Sequence, residues 1–503
     1  MEFSSTSPEM TEGLARTLAL FARPAAVILL EGDLGSGKST FARAFIRALA
    51  PVVPEFDIPS PSFALVQTYD NTRLPVAHVD LYRLRSPAET AELGLSELAQ
   101  NHMMLIEWPN AVLGNLGPDL LRVQFSGTGD TRRIVLTPHG LWTTALQRNA
   151  EIEAFLKFQH VDAGTRRFLD GDASSRRYEK LHHQNTDVIL MDMPHRPDGP
   201  PVKDGKPYSA IAHLAENIAA VVAVNDHLCA MGYSAPRIMA SNLEAGLALI
   251  EDLGTEVFAP MMRRGENMRV PMHAAVDVLA DMAAGEWPTA VPVRGGNDHL
   301  MPSYDAAAQL IEVDLLPAWF HVHVHRTPAP EDLRASFAHV WGEVLPLAVA
   351  QKPVWVLRDY HSPNLLWLPQ RKGLQRVGVI DTQDALLGHP AYDLASMLQD
   401  ARVDIPFDFA DELYEYYVSL RHQQQGFDAD EFACAYAVLG AQRASKILGI
   451  FARLNMRDGK PQYLQHMPRV ARYLKRNLEH EALRGIRDWF EIHMPAALDI
   501  GST

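Results

Sequence analysis

The sequence predicts an α/β domain built around a phosphate-binding loop, followed by an α+β domain of two lobes. Three observations carry this. Strand-like and helix-like runs alternate around a Gly-rich G-x-x-x-x-G-K-S segment over the first 140 or so residues. Short strand-like runs then cluster between about 165 and 254. After Gly254 the patterning is almost wholly helical.

At 503 residues the chain exceeds one ordinary core, since domains average roughly 100–200 residues. A composition 47% hydrophobic and 21% charged is that of a folded chain rather than a disordered one. The net charge of -15 argues against broad, non-specific nucleic-acid binding, because a polyanion is repelled at long range. Two cysteines, Cys229 and Cys434, give no disulfide framework. The N-terminus lacks the basic start and apolar run of a secretory signal, and no apolar stretch reaches membrane-spanning length. The expected location is the cytoplasm.

Met10, Leu14, Leu18 and Phe21 mark one helix face, stopped by Pro24. Ala25–Leu30 is a short apolar strand. Phe41, Phe45 and Leu49 mark a second helix, ended by Pro51. Strands are expected at Ser62–Tyr69, Val76–Leu81, Met103–Ile106, Leu120–Phe125 and Arg132–Thr137, then helix through Leu156. The domain boundary falls near residue 147, with the first domain at 1–147 and the second at 148–503. In the second, strands are expected at Arg176–Leu181, Asp187–Met191, Arg237–Ser241 and Ala248–Glu251, with one helix over Ala210–Met231. A small β-rich lobe (about 165–254) ahead of a helical lobe (about 255–503) is the order of kinase-like folds.

Gly32-Asp33-Leu34-Gly35-Ser36-Gly37-Lys38-Ser39, followed by Thr40, lies between an apolar strand and an amphipathic helix, the context a P-loop requires. Gly32, Gly35 and Gly37 let backbone N–H groups, that of Ser36 among them, turn toward phosphate oxygens. Lys38 would reach the β- and γ-phosphates and Ser39 would offer a hydroxyl to Mg²⁺, with the following helix N-terminus, at Ser39 and Thr40, facing the anion. ATP and Mg²⁺ are the expected ligands.

Ile58-Pro59-Ser60-Pro61-Ser62-Phe63, His78-Val79-Asp80-Leu81-Tyr82-Arg83-Leu84, Glu92-Leu93-Gly94-Leu95 and Ile106-Glu107-Trp108-Pro109 follow the loop in order. Together with GDLGSGKST these motifs resemble TsaE, the small ATPase of bacterial tRNA threonylcarbamoyladenosine synthesis, over about residues 7–137. The resemblance implies that Asp80 helps hold Mg²⁺, that Glu107 supports hydrolysis and that Trp108 packs near the nucleotide. It also implies TsaB- and TsaD-like partners, with tRNA met only through that assembly. Ser62 departs from the family's usual Thr but keeps the hydroxyl.

Arg358-Asp359-Tyr360-His361-Ser362-Pro363-Asn364-Leu365 contains D-x-x-x-x-N, a spacing that alone recurs by chance in a chain this long. Its setting is more informative. Strand-like Val354–Leu357 enters it, Leu365–Leu368 leaves it, and Val377–Ile380 delivers Asp381. Base, amide and carboxylate in this order match the phosphoryl-transfer template: Asp359 takes the substrate proton, and Asn364 and Asp381 hold metal ions. Asp393, in Tyr392-Asp393-Leu394, is expected to brace the loop.

These residues resemble the aminoglycoside phosphotransferase superfamily of small-molecule kinases, a protein-kinase-like fold. The supporting residues are Gly171-Asp172-Ala173-Ser174-Ser175-Arg176-Arg177-Tyr178, Ile189–Asp192, Glu251–Gly254, RDYHSPNL at 358–365, IDTQDA at 380–385, and Gln442-Arg443 with Lys446 and Gly449. The nearer match, over about 148–490, is the AmgK branch. It implies transfer of the ATP γ-phosphate to the anomeric hydroxyl of N-acetylmuramate or N-acetylglucosamine in cell-wall recycling. Another amine, choline or an aminoglycoside remains an alternative substrate, and a non-catalytic scaffold for the tRNA-modifying assembly is a third reading. Two departures stand out: Leu357 replaces the usual His, and the strand VILMD lacks a phosphate-binding Lys. Arg176 or Arg177 could substitute as the anion donor. Asp314, Trp319 and His361 are candidates for contact with the sugar.

Overall fold

The computed structural model describes residues 1–50, 57–84, 87–111, 116–127, 131–169, 176–195, 199–424 and 426–501. The chain divides into two compact units, Met1–Met191 and Asp192–Thr503.

The first unit is built on a seven-stranded sheet. Its elements are β1 (Glu2–Ser5), α1 (Pro8–Ala19), β2 (Val27–Glu31), α2 (Lys38–Leu49), β3 (Val66–Tyr69), β4 (Val76–Asp80), α3 (Pro87–Ala91), α4 (Leu95–Asn101), β5 (Met103–Glu107), β6 (Leu120–Ser126), β7 (Arg132–Pro138) and α5 (Leu141–Phe158). Strand order is β1-β7-β6-β2-β5-β4-β3. The inner four pair in parallel, whereas β7 and β3 pair antiparallel with β6 and β4. Buried parallel strands need apolar residues on both faces. β5 meets that need, with Met103 to Ile106 all fully buried. Val27, Leu29, Val79, Met104 and Ile106 form one core cluster with Leu95 of α4. Full burial of each such side chain contributes about 1.5–3 kcal/mol.

The expected elements are present to within a few residues, although Pro51 lies outside the described residues. β1 has no counterpart among the expected strands. It pairs antiparallel with β7, Phe3 opposite Ile134.

The compact unit continues past α5 to Met191, taking in β8 (Arg167–Leu169), β9 (Arg177–His183) and most of β10 (Thr186–Asp192). A buried ion pair explains the continuation. Arg166 grips Glu179 through two N–H donors at 2.6 and 3.0 Å, and donates a third to Asn149 of α5 at 2.6 Å. Both charged side chains are almost wholly buried, so each requires the other.

In the second unit the hairpin Ile238–Asn242 and Leu247–Glu251 precedes a largely helical body. The helix expected over Ala210–Met231 is two helices, Tyr208–Ile211 and Ile218–Ala230. Asn217 causes the break: its side chain accepts the N–H of Ala219 at 3.0 Å and caps the second helix. The 30-residue helix Ala429–Asp458 runs through the body. Gly449 lets it approach the chain at Leu315, where a Cβ would lie 2.3 Å from backbone atoms. Among the described residues no helix is long and apolar enough to cross a membrane.

Candidate functional site

Two constellations stand out, one in each unit. In the first, β2 delivers the phosphate loop and α2 begins at Lys38. Gly32 has φ 141°, and a Cβ there would lie 2.6 Å from the Phe125 carbonyl oxygen, so only glycine fits. Gly35 (φ 75°) and Gly37 (φ 107°) also take left-handed backbone, Gly37 as the α2 N-cap.

The Lys38 ammonium is folded into the loop, donating to the carbonyls of Gly32 and Asp33 at 2.8 and 2.9 Å. It also sits 3.8 Å from the Trp108 ring centre. Burial lowers its pKa, against the opposing pull of Glu107, Asp80 and Asp33. Trp108 is half-buried at φ 57° and packs on Tyr82 at 4.9 Å. Arg132 donates to the carbonyls of Ser36 and Gly35, a brace on the loop that the motif does not contain. Ser39 and Thr40 occupy the first turn of α2.

Parallel register places Asp80 and Glu107 directly opposite on β4 and β5. Ser39 Oγ donates to Glu107 Oε2 at 3.0 Å, and Ser62 Oγ donates to Asp80 Oδ2 at 2.6 Å. The Ser62 hydroxyl thus does what a threonine hydroxyl could do. His78 was not singled out from sequence. It is fully buried with Nε2 3.0 Å from Glu107 Oε1, so both carboxylate oxygens are engaged. Its place at the head of the His78–Leu84 motif, two positions before Asp80, is the sequence signal for it.

In the second unit, strand Val354–Val356 leads into Arg358 and Asp359, and the hairpin Leu365–Trp367 with Val377–Val379 leads to Asp381. Asn364 ties these together. Its Nδ2 donates to the Asp359 carbonyl at 3.1 Å, and its own carbonyl accepts the Ile380 N–H at 3.0 Å. Asp381 sits at φ 63°, a left-handed conformation uncommon for a residue with a Cβ. The Asp359 side chain is 45% exposed, with His361 Nε2 3.9 Å away. The surrounding protein desolvates the partly exposed carboxylate and opposes its ionisation, but His361 and the cationic Lys446, Arg443 and Arg358 outweigh that and hold its pKa below the ordinary value.

Asp393 braces the loop as expected, accepting the N–H groups of Leu357 and Arg358 at 2.6 and 2.9 Å. Burial pushes its carboxyl up to about 7 in spite of these donors.

Other expected site residues are placed differently. The Arg177 guanidinium is committed to Glu179 at 2.6 Å and lies 3.9 Å from the Phe21 ring centre. It therefore serves the packing of β9 rather than projecting as an anion donor. Arg176 is half-buried just before β9, and Gly171–Ser175 lie outside the described residues. Asp314 pairs with Arg334 and Trp319 is half-buried, while His361 adjoins Asp359. Among the described residues no group of three or more His, Cys, Asp or Glu forms a metal cage. The oxygen donors Ser39, Asp80, Asn364 and Asp381 nevertheless suit a hard cation such as Mg²⁺, which is commonly held by one or two carboxylates with phosphate oxygens completing its shell.

His389, just ahead of the helix carrying Asp393, gives a pH signature. Its Nδ1 accepts the Ala391 N–H at 3.1 Å, and Nε2 lies 3.3 Å from Glu431. Burial, aided by Arg421, lowers its pKa to about 4. The folded state therefore favours the neutral ring. Its contribution is full above the unfolded pKa of about 6.5 and is lost as pH falls through 4, a loss of about 3 kcal/mol. Urea unfolding of His389→Asn should show a flatter stability decline between pH 6.5 and 4 than wild type; parallel declines would contradict this.

Comparison with known proteins finds a family match over each part of the chain. Residues 5–135 match the family model "Threonylcarbamoyl adenosine biosynthesis protein TsaE", and residues 165–432 match "Phosphotransferase enzyme family". A Caulobacter vibrioides protein named N-acetylmuramate/N-acetylglucosamine kinase is 34% identical over 70% of this chain and 98% of its own length. One of the same name from Pseudomonas putida is 30% identical over 62% of this chain and 84% of its own. A Rickettsia conorii protein named tRNA threonylcarbamoyladenosine biosynthesis protein TsaE is 38% identical over 26% of this chain and 76% of its own length.

Proposed function

We propose, for a chain that belongs to the TsaE family at its N-terminal end and to the phosphotransferase enzyme family over the larger part behind it, that it carries two separate ATP-dependent activities. The first is ATP hydrolysis in support of tRNA N6-threonylcarbamoyladenosine synthesis at position 37, exerted with TsaB- and TsaD-like partners. The second is phosphorylation of the anomeric hydroxyl of N-acetylmuramate or N-acetylglucosamine in cell-wall recycling. The boundary between the two activities is put near residue 147, and the chain works in the cytoplasm.

At the second site the sugar C1 hydroxyl oxygen attacks the γ-phosphorus of ATP. Asp359 takes the hydroxyl proton, the bond to the β-phosphate oxygen breaks, and sugar 1-phosphate and ADP result. Asn364 spends its amide N–H on the Asp359 carbonyl, so its Oδ1 is the atom available to Mg²⁺, alongside Asp381. Mg²⁺ when bound offsets phosphate charge. At the first site Lys38 and the loop N–H groups hold the phosphates. Ser39 and Asp80 serve Mg²⁺, and Glu107, fixed by His78 and Ser39, orients the attacking water. Trp108 packs beside the nucleotide.

The observation carrying the kinase reading is the Asp359–Asn364–Asp381 constellation in a chain that spans nearly the whole length of an amino-sugar kinase relative. The test is an assay of purified protein with ATP and, separately, N-acetylmuramate, N-acetylglucosamine, choline and an aminoglycoside. Sugar 1-phosphate from either amino sugar is the expected product. Turnover of choline or the aminoglycoside alone would overturn the substrate assignment.

A further inference from the structure

The residue just before the proposed base adopts a costly conformation. Arg358 has φ 66°, and the Asp359 N–H closes back on the Leu357 carbonyl at 2.8 Å, forming a γ-turn centred on Arg358. Such a turn with positive φ is rare and strained for a residue with a Cβ. It persists only where the surroundings over-determine it.

Here each handle of Arg358 is held. Its N–H donates to Asp393 at 2.9 Å, and its carbonyl accepts Ser396 Oγ at 3.1 Å. Of its guanidinium groups, Nη1 donates to the Ala212 carbonyl at 2.8 Å and Nη2 to Glu312. Only the last of these is a charge pair.

Glu312 is fully buried and its four partners fill both oxygens. Oε1 accepts from Arg358 and, at 2.8 Å, from the Lys446 ammonium. Oε2 accepts from the Tyr304 hydroxyl at 2.5 Å and the Gln442 amide at 3.0 Å. Burial disfavours its charge, yet Lys446 and Arg358 hold its pKa down to about 2. Glu312 thereby links the long helix carrying Lys446 to the turn that presents Asp359. A buried carboxylate with two cationic partners is costly to assemble and contributes little net stability. Its position directly behind the base points to alignment as its purpose.

We propose that Glu312 is a positioning residue for phosphoryl transfer: by gripping Arg358 against Lys446 it holds the strained turn that aims the Asp359 carboxylate. The proposal rests on the reading of Asp359 as the base. It gives Gln442 and Lys446 a place in the site without contact to substrate.

The test uses the full chain carrying Lys38→Ala, so that ATP turnover reports the second site. Glu312→Gln keeps the shape and removes the charge. It should lower kcat roughly 100-fold, the cost of about 1 Å of misalignment, while KM for ATP and sugar moves less than about threefold. Lys446→Met leaves the Glu312–Arg358 pair and should cost less than about tenfold. Arg358→Gly supplies the second arm, because glycine takes the left-handed turn without strain. In that background Glu312→Gln should cost no more than about threefold further, since the clamp has no turn left to hold. A kcat within threefold of the parent for Glu312→Gln would overturn the proposal. So would a sugar KM that rises at constant kcat, or a full 100-fold loss persisting in the Arg358→Gly background. If the parent phosphorylates neither sugar, the substrate assignment fails on its own, and the same ratios are read from ATP hydrolysis at this site.

Discussion

Replacing Asp359 with asparagine lowers sugar phosphorylation by roughly 10²–10⁴-fold, the range a positioned general base contributes. The substitution keeps the side-chain shape, and the backbone anchors at Leu357, Asn364 and Asp393 do not involve the Asp359 carboxylate. The loss therefore falls on kcat, with KM for ATP nearly unchanged. The protonation state supports this. Neighbouring groups hold the Asp359 pKa below the ordinary value against partial desolvation, so the base is already ionised throughout the range from pH 5 to 8. Steady-state kinetics over that range should show no acid limb from Asp359. Wild-type-like kcat in Asp359→Asn would remove Asp359 from the mechanism.

Lys38→Ala has the second largest expected effect, confined to the first site. The Lys38 ammonium lies against the carbonyls of Gly32 and Asp33 and over Trp108. It is thus held at the loop, where nucleotide phosphates would meet it. Losing one charge-assisted phosphate contact costs about 1.5–3 kcal/mol, a weakening of roughly 10- to 150-fold. Calorimetric titration with ATP should show two binding events per chain, one of them weakened by that factor. Two events of unchanged affinity would contradict the role given to Lys38.

Much of this was legible in the sequence because the informative residues are local. Five ordered motifs place the TsaE resemblance at about 7–137, and the family match covers 5–135. Asp359, Asn364 and Asp381 lie within 23 positions, and flanking strand patterns mark them. What was not legible depends on long-range pairing. β1 is an edge strand whose partner, β7, lies some 130 positions away. His78 lies opposite Leu105 in the parallel register, and only its ring, reaching Glu107 Oε1 at 3.0 Å, gives it a place in the site. Glu312 precedes Arg358 by 46 positions and Lys446 follows it by 88, so no spacing rule joins them. Two misreadings have local causes: Asn217 caps a helix inside an apolar run that reads as continuous, and Glu179, two residues on, captures Arg177.

The central claim is that one chain holds two ATP sites with separate chemistry. The most direct test measures amino-sugar 1-phosphate formation by the full chain as wild type, Lys38→Ala and Asp359→Asn. Undiminished product in Lys38→Ala, and near-complete loss in Asp359→Asn with ATP binding at the P-loop intact, is the predicted result. Loss of sugar phosphorylation in Lys38→Ala, or its survival in Asp359→Asn, would contradict the account.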